Sequence, residues 1–165
     1  MSQAVVPMKG TDGSGELIQL VTFTLDQEEY GVEVLKVREI IRMNSITHMP
    51  NTPPYVEGII NLRGKVIPII SMRKKFGLIE AENNSHTRII IMDIAGELMG
   101  FIVDSVSEVI RISGTEIQPS PTVAAGGIDQ ECISGVINLS ERLLVLLDLD
   151  QMFSGEERVL GSVGG

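Results

Sequence analysis

The run Gly58-Ile59-Ile60-Asn61-Leu62-Arg63-Gly64-Lys65-Val66-Ile67-Pro68-Ile69-Ile70 constrains the fold of this chain more than any other stretch. Two apolar arms flank a short polar tip, the pattern of a β-hairpin whose turn lies at Asn61 to Gly64. Glycine at 64 suits a turn position with positive φ, and Arg63 beside it has no place in a core without a partner. Arms this apolar must bury at least one face, so they hold their tip rigidly. Aromatic residues supply only 4% of the sequence against 43% for all hydrophobic residues. Valine, isoleucine, leucine and methionine therefore fill the interior, and the β-branched share of them favours strands.

Around the hairpin, short apolar runs alternate with turn residues. Residues 16–25 and 30–34 read as strands about a turn at 26–29. Residues 37–43 fit either a strand or one face of a short helix, and a strand over 38–42 is the preferred reading. Pro50, Pro53 and Pro54 make 45–54 a loop, expected to end in one helical turn at 54–57. Beyond the hairpin, 72–76 reads as a helical turn closed by Gly77, and the acidic stretch 78–87 as a connection. Strands follow at 88–94, 98–103 and 106–112. A loop over 113–131 precedes a second hairpin, 132–139 and 142–149, turning at Ser140-Glu141. Residues 1–15 and 154–165 read as flexible tails.

The chain repeats itself. Gly31, Val34, Val37, Glu39, Ile41 and Arg42 recur as Gly100, Val103, Val106, Glu108, Ile110 and Arg111, an offset of 69 residues. Gly58, Ile60, Asn61, Leu62 and Phe76 recur as Gly135, Ile137, Asn138, Leu139 and Phe153, an offset of 77. Two blocks in the same order argue against chance similarity between valine-rich strands. The expectation is a duplication, with units over about 16–82 and 83–153, each the size of a small five-stranded barrel.

Signals for chemistry are thin. Gly10 to Gly15 lacks the Gly-Lys-Ser/Thr ending of a phosphate loop. His48, His86 and Cys132 have no recognised zinc spacing. Asp148 and Asp150 share a face if their segment is extended, which suggests either paired carboxylates or strand-end solubilising charges; no partner base accompanies them. A net charge of −9 argues against a nucleic acid or an anionic membrane as partner. The first 15 residues lack a signal-peptide pattern, and a single cysteine suits a reducing cytoplasm. Signals for binding are better. Pro68 cannot donate to a ladder, which places it at an edge or bulge, as a block to aggregation or part of an interface. Arg63-Gly64 is replaced in the second unit by Ser140-Glu141, although Glu39 and Glu108 correspond. Arg63 near a strand carboxylate such as Glu39 is either a poised polar anchor or a plain surface ion pair.

Glu29-Tyr30-Gly31-Val32-Glu33-Val34-Leu35-Lys36-Val37-Arg38-Glu39-Ile40, Asn51-Thr52-Pro53 and the hairpin from Gly58 to Pro68 resemble the CheW family of bacterial chemotaxis coupling proteins. The resemblance spans about 16–153, and Asn61-Leu62-Arg63-Gly64 is its most specific part. Ser71 departs from the aspartate the family often carries there. The resemblance implies an all-β fold: two SH3-like five-stranded β-barrels packed around a shared core, with short helical turns in the connections. It implies no catalytic residue, metal or cofactor. It implies a cytoplasmic adaptor, without membrane insertion, joining the tips of methyl-accepting chemoreceptors to a CheA-type histidine kinase in membrane-associated arrays. By motif match, Val37, Glu39, Gly58, Asn61, Arg63, Gly64 and Ile89 fall on the receptor side. Val34 falls on the kinase side or in the core. Within the same class, the alternative is an adaptor of a related non-chemotaxis chemosensory pathway. A small-barrel nucleic-acid binder is the alternative from another class, and the acidic balance and scarce aromatics count against it.

Overall fold

In the computed structural model, which describes residues 16–119 and 132–153, the strands gather into two sheets. The expected tails at 1–15 and 154–165, and residues 120–131 of the expected loop, lie outside the described residues. The elements in chain order are β1 (Leu17–Leu25), β2 (Glu28–Glu33), a 3-10 turn (Val34–Lys36), β3 (Val37–Arg42), β4 (Val56–Leu62), β5 (Lys65–Ser71) and α1 (Met72–Lys75). There follow β6 (Arg88–Ile94), β7 (Glu97–Val103), β8 (Ser105–Ser113), a second 3-10 turn (Gly114–Glu116), β9 (Ile117–Gln118), β10 (Ile133–Leu139), β11 (Arg142–Leu147) and α2 (Leu149–Met152). One sheet runs β8-β1-β2-β11-β10-β9 and the other β3-β6-β7-β5-β4. Each wraps its own apolar cluster as a small SH3-like barrel.

Two local expectations are corrected. No helical turn forms at 54–57: a single bond from Val56 N to Pro53 O (2.9 Å) closes the loop, and buried Val56 already belongs to β4. The strand expected to reach 149 stops at Leu147, because Asp148 caps α2 by accepting from Gln151 N. Residues 38–42 do lie in a strand, β3.

The larger correction concerns the units. Neither sheet is drawn from one half of the chain, so boundaries near 82 and 83 do not separate the barrels. The β1–β2 hairpin sits with β8 to β11, and the β6–β7 hairpin sits with β3 to β5. The duplication survives this exchange intact. β5 joins β7 in parallel through Ile69↔Gly100, and β11 joins β2 in parallel through Leu146↔Gly31, which is the same pairing carried over by the two repeat offsets.

The exchange also organises the core. Ile89 and Ile91 point into one barrel with Ile60, Ile67 and Ile69. Ile90, Met92 and Ile94 point from the opposite face of β6 into the cluster shared by both sheets. A strand buried on both faces reads as a continuous apolar run, which is why 88–94 shows little alternation. β1 behaves alike: Leu20 enters the other barrel, while Val21, before a bulge at Thr22/Phe23, and Phe23 and Leu25, after it, enter the shared cluster. The repeated glycines mark close approaches. A Cβ on Gly100 would lie 2.6 Å from Ile69 Cδ1, and one on Gly58 would lie 2.1 Å from the carbonyl oxygen of Thr47.

Two polar clamps pin the sheets together. Arg73, from α1, forks onto Asp104, which links β7 to β8, at 2.9 and 2.6 Å. Asp104 also accepts from Asp26 N (2.7 Å) in the β1–β2 turn. Burial pushes the Asp104 carboxyl up, but the bonds from Arg73 and the Asp26 amide outweigh it and hold the group below the usual carboxylate range. At the other end Lys36 meets Asp150 at 2.5 Å, and Asp150 accepts from Ala95 N (3.0 Å) in the β6–β7 turn.

Gly58→Ala is expected to cost about 3 kcal/mol of stability, since backbone stands where the methyl would go, whereas Gly64→Ala, with open space around it, costs about 1 kcal/mol through its positive φ. Urea midpoints measured by circular dichroism check both. Because the folded pKa of Asp104 is depressed, its contribution is present above the unfolded value of about 3.9 and is lost as pH falls through the folded value. Asp104→Asn is therefore expected to lower the urea midpoint near pH 7 and to narrow its difference from the midpoint near pH 3.

Candidate functional site

β3 and β4 are the outer strands of their sheet, so the barrel has a seam between them. The β4–β5 tip closes it. Arg63 (φ 51°) and Gly64 (φ 90°) both take the left-handed region, the two-residue hairpin turn that matches strand twist. Asn61 fixes the turn by accepting from Gly64 N through its side-chain oxygen (2.8 Å). The Arg63 guanidinium then forks onto Glu39 of β3: Nη1 reaches Oε2 at 3.3 Å and Nη2 bonds to Oε1. The bond from Arg63 holds the Glu39 carboxyl below its ordinary value, and the same bond raises the guanidinium. Arg63 is exposed, so the pair orders a charged tip where a partner can reach it.

Of the residues carried over by motif, Glu39, Asn61, Arg63 and Gly64 come together at this seam. Val37 lies two residues before Glu39 on β3, half-buried against the shared core. Gly58 and Ile89 present no surface. Gly58 is buried where the Thr47 backbone pairs with β4. Ile89 is 0% exposed and pairs with Ile41, beneath the strand that carries Glu39. Beside the ion pair, Ile40 of β3 and Val66 at the tip leave apolar side chains in solvent.

The second barrel holds a residue that sequence comparison missed. Arg142 donates to Glu108, the counterpart of Glu39, at 2.9 Å, and its Nε meets Glu29 at 2.8 Å. It occupies the position corresponding to Lys65, two residues along from the counterpart of Arg63. Replacement of Arg63-Gly64 by Ser140-Glu141 therefore moves the arginine without abolishing the seam ion pair. An arginine on the first strand position after the turn, with a glutamate at the position equivalent to Glu39, is the sequence signal that marks it.

Val34 sits in the 3-10 turn between the sheets, half-buried against the shared core. With Leu35, Ile18, Ile117 and Leu146 it lines an apolar groove of about 600 Å³. Leu35 is 84% exposed, the second residue that the sequence reading passed over. Pro68 occupies the last position of β5 before pairing with β7 begins at Ile69, so its missing donor costs no ladder bond on that side. Asp148 and Asp150 do not form a carboxylate pair: one caps α2 and the other holds Lys36. Among the described residues no group of three or more histidine, cysteine, aspartate or glutamate side chains is placed to hold a metal ion.

Two small barrels sharing one core, with a rigid ion-paired tip and an apolar groove on their surface, define a two-barrel binding scaffold. The CheW-like domain model matches residues 19–157. A chemotaxis protein CheW from Klebsiella aerogenes is 36% identical over 149 residues, covering 89% of each chain. One from Treponema pallidum is 38% identical over 156 residues, covering 92% of this chain and 89% of the relative. The crystal structure of the scaffolding protein TtCheW from Thermoanaerobacter tengcongensis superposes with a TM-score of 0.79 at 38% identity, covering 86% of this chain and 95% of that one. The chain belongs to the CheW-like family and is a chemotaxis scaffold of that type.

In a carbon-detected titration, the Glu39 carboxyl is expected to titrate below the ordinary glutamate range, and Arg63→Gln is expected to move it back up.

Proposed function

We propose that the chain is a non-catalytic adaptor that couples the cytoplasmic tips of chemoreceptors to a CheA-type histidine kinase, recruited from the cytoplasm to receptor arrays. The observation that carries this reading is the exposed Arg63, held on a rigid tip by Glu39 in the Asn-Leu-Arg-Gly motif of the family. A receptor tip meets Glu39, Asn61, Arg63 and Gly64, with Val37 supporting the strand beneath. The kinase meets the apolar groove at Val34 and Leu35. The groove is lined from the other barrel and from the connector, whereas the tip stands on the β4–β5 hairpin, so the two partners have separate faces on one body. Coupling follows from shared assembly: a receptor state that fits the scaffold differently shifts the kinase equilibrium by that difference in affinity.

The test is co-sedimentation with receptor-containing membranes and a CheA-type kinase, each omitted in turn. Arg63→Glu is expected to weaken receptor-dependent sedimentation about tenfold or more while far-UV circular dichroism is unchanged. Undiminished sedimentation of that variant overturns the assignment of the tip. Leu35→Asp is expected to weaken kinase capture to a similar degree, about tenfold, with receptor binding retained. A double-mutant cycle on Glu39→Gln and Arg63→Gln, read in receptor affinity, is expected to show coupling, and strict additivity counts against it.

A further inference from the structure

The two clamps between the sheets are related by the internal repeat, and their charges are reversed. Arg73 in α1 has Asp150 in α2 as its counterpart at the offset of 77. Asp104, linking β7 to β8, has Leu35 as its counterpart at the offset of 69, and Lys36 follows directly. The turn amide of Asp26 corresponds to that of Ala95. In the first clamp a cationic helix meets an anionic connector, Arg73 to Asp104 at 2.6 Å. In the second an anionic helix meets a cationic connector, Asp150 to Lys36 at 2.5 Å.

Duplication creates a specific hazard. Each half lends a hairpin to the other half, and the two halves pair by the same register, Gly100 with Ile69 and Gly31 with Leu146. Two copies of the chain can therefore compete with the native arrangement by pairing like with like. The first half of one copy then lends β1–β2 to the first half of the other, and the second halves exchange β6–β7. In the first-half pairing Lys36 falls beside Arg73, where the native clamp has Asp104 beside it, and Asp26 and Glu33 offset the two cations only in part. In the second-half pairing Asp104 falls beside Asp150, two carboxylates at one clamp. The Arg73 and Asp104 side chains are 17% and 29% exposed and those of Lys36 and Asp150 44% and 34%, so water screens such contacts only in part.

We propose that the reversed polarity of the two clamps is a selectivity device, which admits pairing of unlike halves within one chain and rejects pairing of like halves between two copies. Opposite charges at both clamps make the native exchange complementary. Every like-half pairing meets repulsion at the same positions, so partner choice is coded at the ends of the parallel joins.

The experiment refolds the full chain from urea at low salt and measures its mass by sedimentation velocity. The wild type is expected to be a monomer. Lys36→Asp with Asp104→Lys makes both native clamps repulsive and both like-half clamps complementary. It is expected to raise the dimer-to-monomer ratio about tenfold or more. Register is read in a Cys132→Ala background carrying Ser71→Cys and Glu33→Cys. Ser71 natively pairs with Ile102, whose counterpart is Glu33, so a disulfide between chains at these positions reports β5 of one copy beside β2 of another. Adding Arg73→Asp and Asp150→Lys to the double variant restores complementary native clamps and is expected to return a monomer without the cross-link. A double variant that refolds as a monomer without the cross-link overturns the proposal, as does a wild type that forms the cross-linked dimer. If the double variant does not refold, the fourfold variant decides: a folded monomer supports the proposal and failure to fold overturns it.

Discussion

Three residues, Val34–Lys36, separate β2 from β3, and the architecture follows from how little they can span. In one sheet with β1 between them, β2 and β3 would run parallel, since each pairs antiparallel with its β1-type neighbour. Returning to the start of a parallel strand means retracing a six-residue strand of about 20 Å, and the link from Glu33 to Val37 reaches about 14 Å at full stretch. Parallel neighbours need a crossover of a dozen residues or more. The chain therefore leaves the sheet, and β3 begins the other barrel. Asp104 imposes the same step between β7 and β8 with one residue.

From that step comes the shared core, which is the largest apolar cluster and takes side chains from both sheets. Neither barrel could bury its outer face alone. The functional surfaces follow as well. Exchange leaves β3 as an outer strand, so the β4–β5 tip has a seam to close and Arg63 has a carboxylate to reach. The connector emerges between the sheets, so Val34 can pack inward while Leu35, next in the chain, stands out over a groove.

What was legible in the sequence was local. Strand alternation, the Arg-Gly turn, the helical turn before Gly77 and the repeat all depend on residues near one another, and each is present in the structure. Val37, Ile40 and Ile41 fit a helix as well as a strand, and pairing of β3 with β6, whose residues are distant in sequence, decided for the strand. The assignment of strands to barrels was hidden because hydrophobic pattern says that a face is buried, not against what. The same limit applied to Ile89, whose apolar run made it buried on either reading but whose motif position suggested a surface. Asp148 and Asp150 looked alike in an extended segment, and a cap and a clamp set by α2 gave them different work. Arg142 was missed because residue-by-residue alignment compares identities at one position, whereas a seam needs only a long cation on the right face.

The exchange of hairpins also sets an order of events during synthesis. Of the described strands β1 and β2 are made first, yet β2 meets its outer neighbour only when Leu144 to Leu146 have appeared, near the far end of the described residues. The barrel of β3 to β7 contains no such delay, since all its strands are complete once Val103 is made. Until Leu146 is made, the β1–β2 hairpin, with Leu20, Val21, Phe23 and Leu25 on β1, lacks its final partner strand. The strands made first are thus among the last to be housed, and the chain carries its own unfinished edge past the ribosome exit while most of the fold assembles.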